Sequence, residues 1–406
     1  MPRSAVILGA GITGSLLGWR LARAGWRVTI LEARHVGAGS SSRTAAGIRQ
    51  QFSTRETVVG MRYAVDFYRR FPAEVGGETV PIVQNGYLFL HNLAESWELA
   101  QRRVAHQQAW GLTEVEALEV DALAARFPWV DRHLLLGGTW CPTDGFLRPE
   151  TVYNEAIAAA LRLGATVVQG APVTGATHQN ARIRAVRTPK GDFSADIYVD
   201  ATNAWSPRTA ALLGALVLPI QPLKRYLWFI QRDGSMSADT LAEMPLVISP
   251  SGAYARPENR ESLLTGWAHD AKPELAFTYE DQDRIEDHFF HKSGPDSAAY
   301  ETWASLAEVI PALGEFAGIT ATTAGYYGTT PDHNPFLDFD PLVPNLIRLA
   351  GFSGHGAMFG PYTALVGAAL AEAGAPIPTV LVAGETVSTA AFSIDRPFHH
   401  AESMVI

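Results

Sequence analysis

The sequence predicts an α/β protein with an α+β portion: a parallel sheet wrapped by helices, interrupted by a discontinuous domain built on an antiparallel sheet. Three observations carry this reading. The chain opens on a strand, a glycine turn, a helix and a second strand in that order; a second glycine-rich strand-to-helix junction stands far away, at residues 351–356; and the stretch between alternates short strands with turns. At 406 residues the chain exceeds one compact core, so two domains sharing an interface are expected.

Ala5-Val6-Ile7-Leu8 is an apolar run of strand length, followed directly by Gly9-Ala10-Gly11-Ile12-Thr13-Gly14. The first glycine permits the tight turn, the second lets backbone N–H groups approach a pyrophosphate, and the third lets the helix pack on the strand. Ser15 to Ala24 continues as a helix, Gly25 ends it, and Arg27 to Leu31 reads as the second strand. Glu32 closes the unit. A carboxylate there accepts hydrogen bonds from an adenosine ribose and repels a 2′-phosphate, so a Rossmann-like dinucleotide site that disfavours NADP is expected.

Beyond Glu32 a small-residue loop, Val36 to Gly47, suits a large planar ligand, and Arg43 offers a phosphate contact. Thr57 to Arg70 reads as an amphipathic helix. Gln84-Asn85-Gly86 looks like a hairpin turn feeding a strand, with a polar helix over Ala94 to Trp110 behind it. Asp144 to Pro149 returns the chain to the first domain, with a helix over Glu150 to Leu163 and a strand at Ala165 to Val168. A hairpin over residues 181–196 and a strand ending at the turn 201–206 follow. The second domain then resumes with strands such as Tyr226–Ile230 and Ser262–Trp267 and a polar helix around Gln282 to Lys292. Leu346 to Ala350 is a buried strand running into Gly351-Phe352-Ser353-Gly354-His355-Gly356 and a helix over Phe359 to Glu372. The expected division is 1–80, 144–215 and 325–406 for the dinucleotide domain, and 81–143 and 216–324 for the substrate domain.

Composition narrows the function. A net charge of −9 argues against nucleic acid or an anionic membrane as partner, and no apolar run is long enough to span a bilayer. Glycines at turn spacing with Arg20 and Arg23 fit an amphipathic helix better than a signal peptide, so a cytoplasmic protein acting on small molecules is expected. One cysteine, Cys141, leaves no internal disulfide and no cysteine cluster for a metal; a buried structural thiol is expected there.

These pieces, with Gly47-Ile48-Arg49-Gln50-Gln51-Phe52, Ala201-Thr202-Asn203-Ala204-Trp205-Ser206, Tyr254-Ala255-Arg256-Pro257 and Thr330-Pro331-Asp332, resemble the D-amino-acid-oxidase-like flavoprotein family, in its branch of sarcosine oxidase, glycine oxidase and proline or dimethylglycine dehydrogenase. The resemblance covers essentially the whole chain. It implies FAD bound in extended form, oxidation of an amine or amino-acid C–N bond by hydride transfer to flavin N5, hydrolysis of the imine, and oxygen or another electron acceptor. It places the cofactor against Gly9, Gly11, Ile12, Thr13 and Gly14; against Glu32, Ala33 and Arg34; and against Arg43, Thr44, Ala45, Gly47 and Ile48. Val173, Ala201, Thr202, Trp205, Gly325, Gly354, His355, Gly356, Ala357 and Met358 complete that set. Arg49, His355 and Tyr254 become the candidate catalytic residues: Arg49 to hold a substrate carboxylate, His355 to tune the ring, Tyr254 to line the pocket with Trp228 and Trp267.

Four departures matter. Gly325 and Thr44 stand where related proteins carry a residue that links the flavin, so FAD is expected to be non-covalent. Met358 replaces a lysine that pairs with the arginine on the carboxylate, and Leu264 replaces a lysine that activates oxygen. An alcohol oxidation on a 2-hydroxy acid and a non-catalytic flavoprotein are the alternatives.

Overall fold

The computed structural model describes residues 2–267, 297–399 and 401–404. The helix expected around Gln282 to Lys292 lies outside the described residues. One sheet has six strands in the order Phe336–Phe339, Leu346–Ala350, Ile197–Asp200, Ser4–Leu8, Arg27–Leu31, Thr166–Val168, parallel except for the first, which pairs antiparallel at the edge. Ser4–Leu8 and Leu346–Ala350 are buried along their whole length, as strands covered on both faces must be, and this explains their unbroken apolar runs. The helices Ile12–Arg23, Pro149–Arg162 and Gly356–Ala373 pack together on this sheet. Gly14 makes the first of them possible: a Cβ there would lie 2.0 Å from the Gly9 carbonyl oxygen.

Because Ser4–Leu8 has one neighbour from residues 27–31 and the other from residues 197–200, the connections leave it in opposite directions. A crevice opens beyond the carboxyl ends of strands at such a reversal. Its floor is braced by Arg348, fully buried, whose Nε meets Asp200 at 3.1 Å and whose Nη1 meets Asp340 at 2.7 Å, while Nη2 donates to Ser206 at 2.8 Å. Removing one partner from such a buried group typically costs about 3–5 kcal/mol, which fixes the 201–206 turn to the sheet.

The second sheet has eight strands: Ile319–Thr329, Gln221–Gln231, Ser262–Trp267, Ala253–Pro257, Leu246–Ile248, Tyr87–His91, Gly137–Cys141 and Glu116–Glu119, antiparallel except between Leu246–Ile248 and Tyr87–His91. The period of two sorts its side chains. Leu88, Leu90, Tyr226, Trp228, Ile230, Val247, Ala253, Ala255 and Leu263 form one core with Trp303 and Leu306 of the helix Ala298–Val309. Tyr87, Leu227, Leu246, Ile248, Tyr254 and Leu264 point the other way, toward Ala45, Phe89 and Phe229.

One expectation needs correction. Asn85-Gly86 does not close a hairpin: Ile82–Val83 pairs with Gly145–Leu147 in a separate small sheet, while Tyr87–His91 enters the large one. The turn is held by its surroundings, Asn85 donating to Ala242 O and Gly86 N–H to Asp144 O, so the chain crosses between sheets there. The hairpin expected over 181–196 is present as Arg182–Thr188 paired with Gly191–Phe193, and Gly175–Gln179 adds a third strand to it.

Candidate active site

The crevice is a cavity of about 850 Å³. At its root Gly9 has φ +103°, and a Cβ there would lie 2.8 Å from Ala201 O, so two strand ends approach as only glycine allows. The helix Ile12–Arg23 begins at Gly11 with no side-chain cap, which leaves first-turn N–H groups for an anion. Ser41 leans over this turn: its Oγ accepts from Ile12 N–H at 3.1 Å and would clash with any Cβ on Gly11, at 2.7 Å. Glu32 stands beside the turn, Oε2 accepting from Ala10 N–H and Oε1 from Arg34 N–H, each at 2.9 Å. A glycine turn with a carboxylate fixed at its side, both opening on one cleft, fits an adenine dinucleotide: the turn for its pyrophosphate, Glu32 for its ribose.

Of the residues expected to hold the cofactor, Gly9, Gly11, Ile12, Thr13, Glu32, Ala33, Arg34, Arg43, Thr44, Val173, Ala201, Thr202, Trp205, Gly354, Gly356 and Ala357 line the cavity. Gly14, Ala45, Gly47, Ile48, Gly325, His355 and Met358 stand outside that lining. Gly14 is spent on packing against Gly9; Ala45 joins the apolar face of the large sheet; Gly47 and Ile48 pair with Phe146 and Gly145; Met358 is in the core. Gly325 backs onto Arg43, whose carbonyl oxygen would lie 2.5 Å from its Cβ. Ser41, Thr174, Asn203, Arg208, Tyr326 and Tyr327 also line the cavity and were not expected there. Asn203 marks itself only through geometry: at φ +47° its Oδ1 accepts from Gly351 and Phe352 N–H, at 3.1 and 3.2 Å, tying the 201–206 turn to the second glycine junction.

None of the three candidate catalytic residues lines the cavity: Arg49 and His355 meet each other, and Tyr254 belongs to the apolar face that includes Tyr87. Arg49 is fully buried, with its guanidinium 4.0 Å above the Phe52 ring. It donates to Gln51 O, to Met404 O and, at 3.2 Å, to His355 Nε2, so its terminal nitrogens are engaged within the chain. Burial pulls its pKa down, opposed by Tyr87, Glu402 and Asp144. His355 is buried too, and desolvation, with the Arg49 charge and then His333, holds its pKa well below the ordinary value. Asp144 accepts from Gln50 N–H and Nε2 and from Gln51 Nε2; burial raises its pKa to about 6 despite those bonds.

Tyr254 is buried on the cleft-facing side of the large sheet and interacts with Tyr327; burial raises the pKa of both phenols. Leu264 shares that side, opposite Phe229 and Arg256 in register. Trp228 and Trp267, expected to line the pocket, pack on the opposite face, Trp267 donating from Nε1 to Ser251 O at 2.9 Å. Strand alternation decides this against their size. Arg256 is paired, with Nη1 on Glu258 at 2.7 Å and Nε on Ala45 O at 2.8 Å, and so pins the loop beneath. The Cys141 thiol is buried and its pKa pushed up by desolvation, which makes it unreactive. Among the described residues no group of His, Cys, Asp or Glu could hold a metal, and no helix is long and apolar enough to cross a membrane.

A parallel sheet with a glycine-turn cleft, backed by a larger antiparallel sheet whose phenol-bearing face closes its inner end, defines a dinucleotide-dependent oxidoreductase. Residues 4–370 match the FAD dependent oxidoreductase family (DAO), and the chain belongs to it. It is 27% identical to FAD-dependent oxidoreductase domain-containing protein 1 of Xenopus laevis, over 90% of this chain and 78% of that one. It is 25% identical to glycine oxidase of Geobacillus kaustophilus, over 90% and 92%. The crystal structure of L-proline dehydrogenase from P. horikoshii superposes with a TM-score of 0.78 at 28% identity, covering 95% of this chain and 96% of that one.

Proposed function

We propose that this FAD-dependent oxidoreductase oxidises the C–N bond of an amine or amino acid, with secondary or N-substituted amino acids as the preferred class, the imine being hydrolysed by water. The observation that carries the reading is the junction at Tyr327: the cofactor cleft ends there against a face made of Tyr87, Tyr254, Leu227, Leu246, Ile248 and Leu264. FAD, when bound, supplies the hydride acceptor. The chain supplies the rest. The turn from Gly9 to Gly14 and Glu32 hold the dinucleotide, and Arg43 and Thr44 lie along its inner portion. The apolar face excludes water and favours the neutral amine, the form whose nitrogen lone pair drives hydride loss. His355, kept neutral by burial and by Arg49, adds no charge of its own. The names of the related L-proline dehydrogenase and glycine oxidase support amino-acid chemistry. In this reading residues 1–80, 144–215 and 325–406 form the cofactor domain, and 81–143 with 216–324 the substrate domain.

The test is anaerobic mixing of the FAD-loaded protein with secondary amines, N-methylated and cyclic amino acids, primary amino acids and 2-hydroxy acids. Bleaching of the oxidised flavin by the secondary amino acids is expected. Bleaching by hydroxy acids alone would overturn the reading.

A further inference from the structure

The geometry points to Arg225 as the residue that binds the substrate carboxylate, acting with the hydroxyl of Tyr327 and taking α-amino acids of apolar body; this rests on the amino-acid oxidation proposed above. Arg49, Arg225 and Arg256 stand at the cleft-facing side of the large sheet, while Arg43 lines the cleft itself and donates from Nη1 to Ala324 O. Arg49 is engaged at its terminal nitrogens by Gln51, Met404 and His355, and Arg256 by Glu258 and Ala45. A buried Nε without a hydrogen bond is common to Arg49 and Arg225, but Arg225 differs at its terminal nitrogens: among the described residues neither a hydrogen bond nor a carboxylate engages them.

Its placement follows from the strand register. Arg225 stands opposite Gly325, and Tyr327 stands opposite Leu223, so Arg225 and Tyr327 are diagonal neighbours on one face. The Arg225 guanidinium carbon lies 5.7 Å from the Tyr327 ring centre. Leu227, two residues along the same strand, belongs to the apolar cluster that includes Tyr254, so Arg225 shares the face that closes the cleft. Arg225 also opposes the upward push of burial on both phenols, as a nearby positive charge must.

Chemistry supplies the ligand. A buried guanidinium N–H without an acceptor is costly, and a carboxylate matches the guanidinium fork with two parallel bonds. The Tyr327 hydroxyl interacts with that of Tyr254 and carries a proton of its own that it can donate to an anion. Around these two donors the face is Leu227, Phe229, Leu246, Ile248 and Leu264, an apolar surface that offers nothing to a polar substrate side chain. An amino acid with a hydrocarbon ring or N-alkyl group satisfies both halves.

The probe is pyrrole-2-carboxylate, a planar carboxylate without an oxidisable amine, and its neutral amide, titrated into the FAD-loaded full chain and followed by the perturbation of flavin absorbance. The acid is expected to bind wild type at least about 30-fold more tightly than the amide. Arg225→Gln should weaken the acid about 30-fold or more while leaving the amide within about threefold, as expected for loss of one charge-assisted pair worth about 2 kcal/mol. Arg225→Lys should recover part of the loss, and Tyr327→Phe should weaken the acid about fivefold to tenfold at unchanged flavin content. Should Arg225→Gln fail to retain FAD, the Arg225→Lys and Tyr327→Phe titrations decide. Acid affinity within about threefold of wild type in the flavin-loaded variants would overturn the assignment. Tight, Arg225-dependent acid binding without bleaching by any amino acid would leave the anchor standing and remove the oxidation reading instead.

Discussion

Nη2 of Arg49 lies 3.2 Å from Nε2 of His355, and since a guanidinium can only donate, the imidazole accepts at Nε2 and carries its proton on Nδ1. A second proton would have to displace that bond and sit beside a buried cation. His355 therefore stays neutral at physiological pH. Its folded pKa lies below the unfolded value of about 6.5, so the unfolded chain takes up the proton first and stability drains as pH falls below that point. Wild type should lose roughly 1 kcal/mol per pH unit relative to His355→Gln between about pH 6.5 and 5. Denaturation curves of the two proteins that run parallel with pH would contradict this.

Asp144 works in the opposite sense. Its folded pKa of about 6 is above the unfolded 3.8, so its contribution to stability is complete below about pH 4 and is lost as pH rises through about 6. A rise of that size corresponds to about 3 kcal/mol. Asp144→Asn keeps an acceptor for Gln50, sets an amide donor toward Gln51 in place of the second oxygen, and does not titrate. Urea titrations at pH 4 and pH 7 should show wild type losing about 3 kcal/mol against the variant. An unchanged gap would mean that Asp144 is not the buried acid its surroundings make it.

Acid precipitation should release all the flavin into the supernatant. The tether positions are Thr44, whose Oγ1 accepts from Ala46 N–H at 2.9 Å, and Gly325, which has no room even for a Cβ beside Arg43. Gly325→Cys should not create a link, and should destabilise by about 1–3 kcal/mol through overpacking. A yellow pellet from wild type would refute the non-covalent mode.

Reoxidation of the reduced protein by oxygen should be slow and by an artificial quinone fast. Leu264 is apolar, Arg256, its register neighbour, is paired with Glu258 at 2.7 Å, and the Arg225 guanidinium is drawn toward the Tyr327 ring, 5.7 Å from its centre. A cation at about 4 Å with an effective dielectric near 20 would favour superoxide formation by roughly 4 kcal/mol, approaching a thousandfold in rate. Leu264→Lys should accelerate oxygen consumption at least about tenfold, less at high pH because burial at this position lowers the lysine pKa. Rapid mixing of photoreduced protein with oxygen reads both halves; fast reaction in wild type would show that another cation does this work.

What was legible in the sequence was what is local. Gly9, Gly11, Gly14 and Glu32 announce themselves because one strand, one turn and one helix fix their geometry. Trp228 misled for a physical reason: aromatic bulk says nothing about facing, whereas its neighbour Leu227 in the alternation belongs to the cleft side. Tyr327, Asn203 and Thr174 reach the cavity through long-range pairing that no short window contains. The partners of Arg49 include residues 355 and 404, so its burial and its satisfied terminal donors became visible only in three dimensions.

The sheet order has a consequence for biosynthesis. Ala5 must find Ile197, and Tyr198 must find Leu346, before the crevice has both walls. Such distant pairings carry a high loop-closure cost and slow folding. Emerging from the ribosome, the glycine turn is complete within the first few dozen residues, yet it can grip nothing until nearly the whole chain has been made. No early fragment should retain FAD, and cofactor capture becomes a late event that reports on completed folding, so flavin content measures how much of a preparation has reached the native topology.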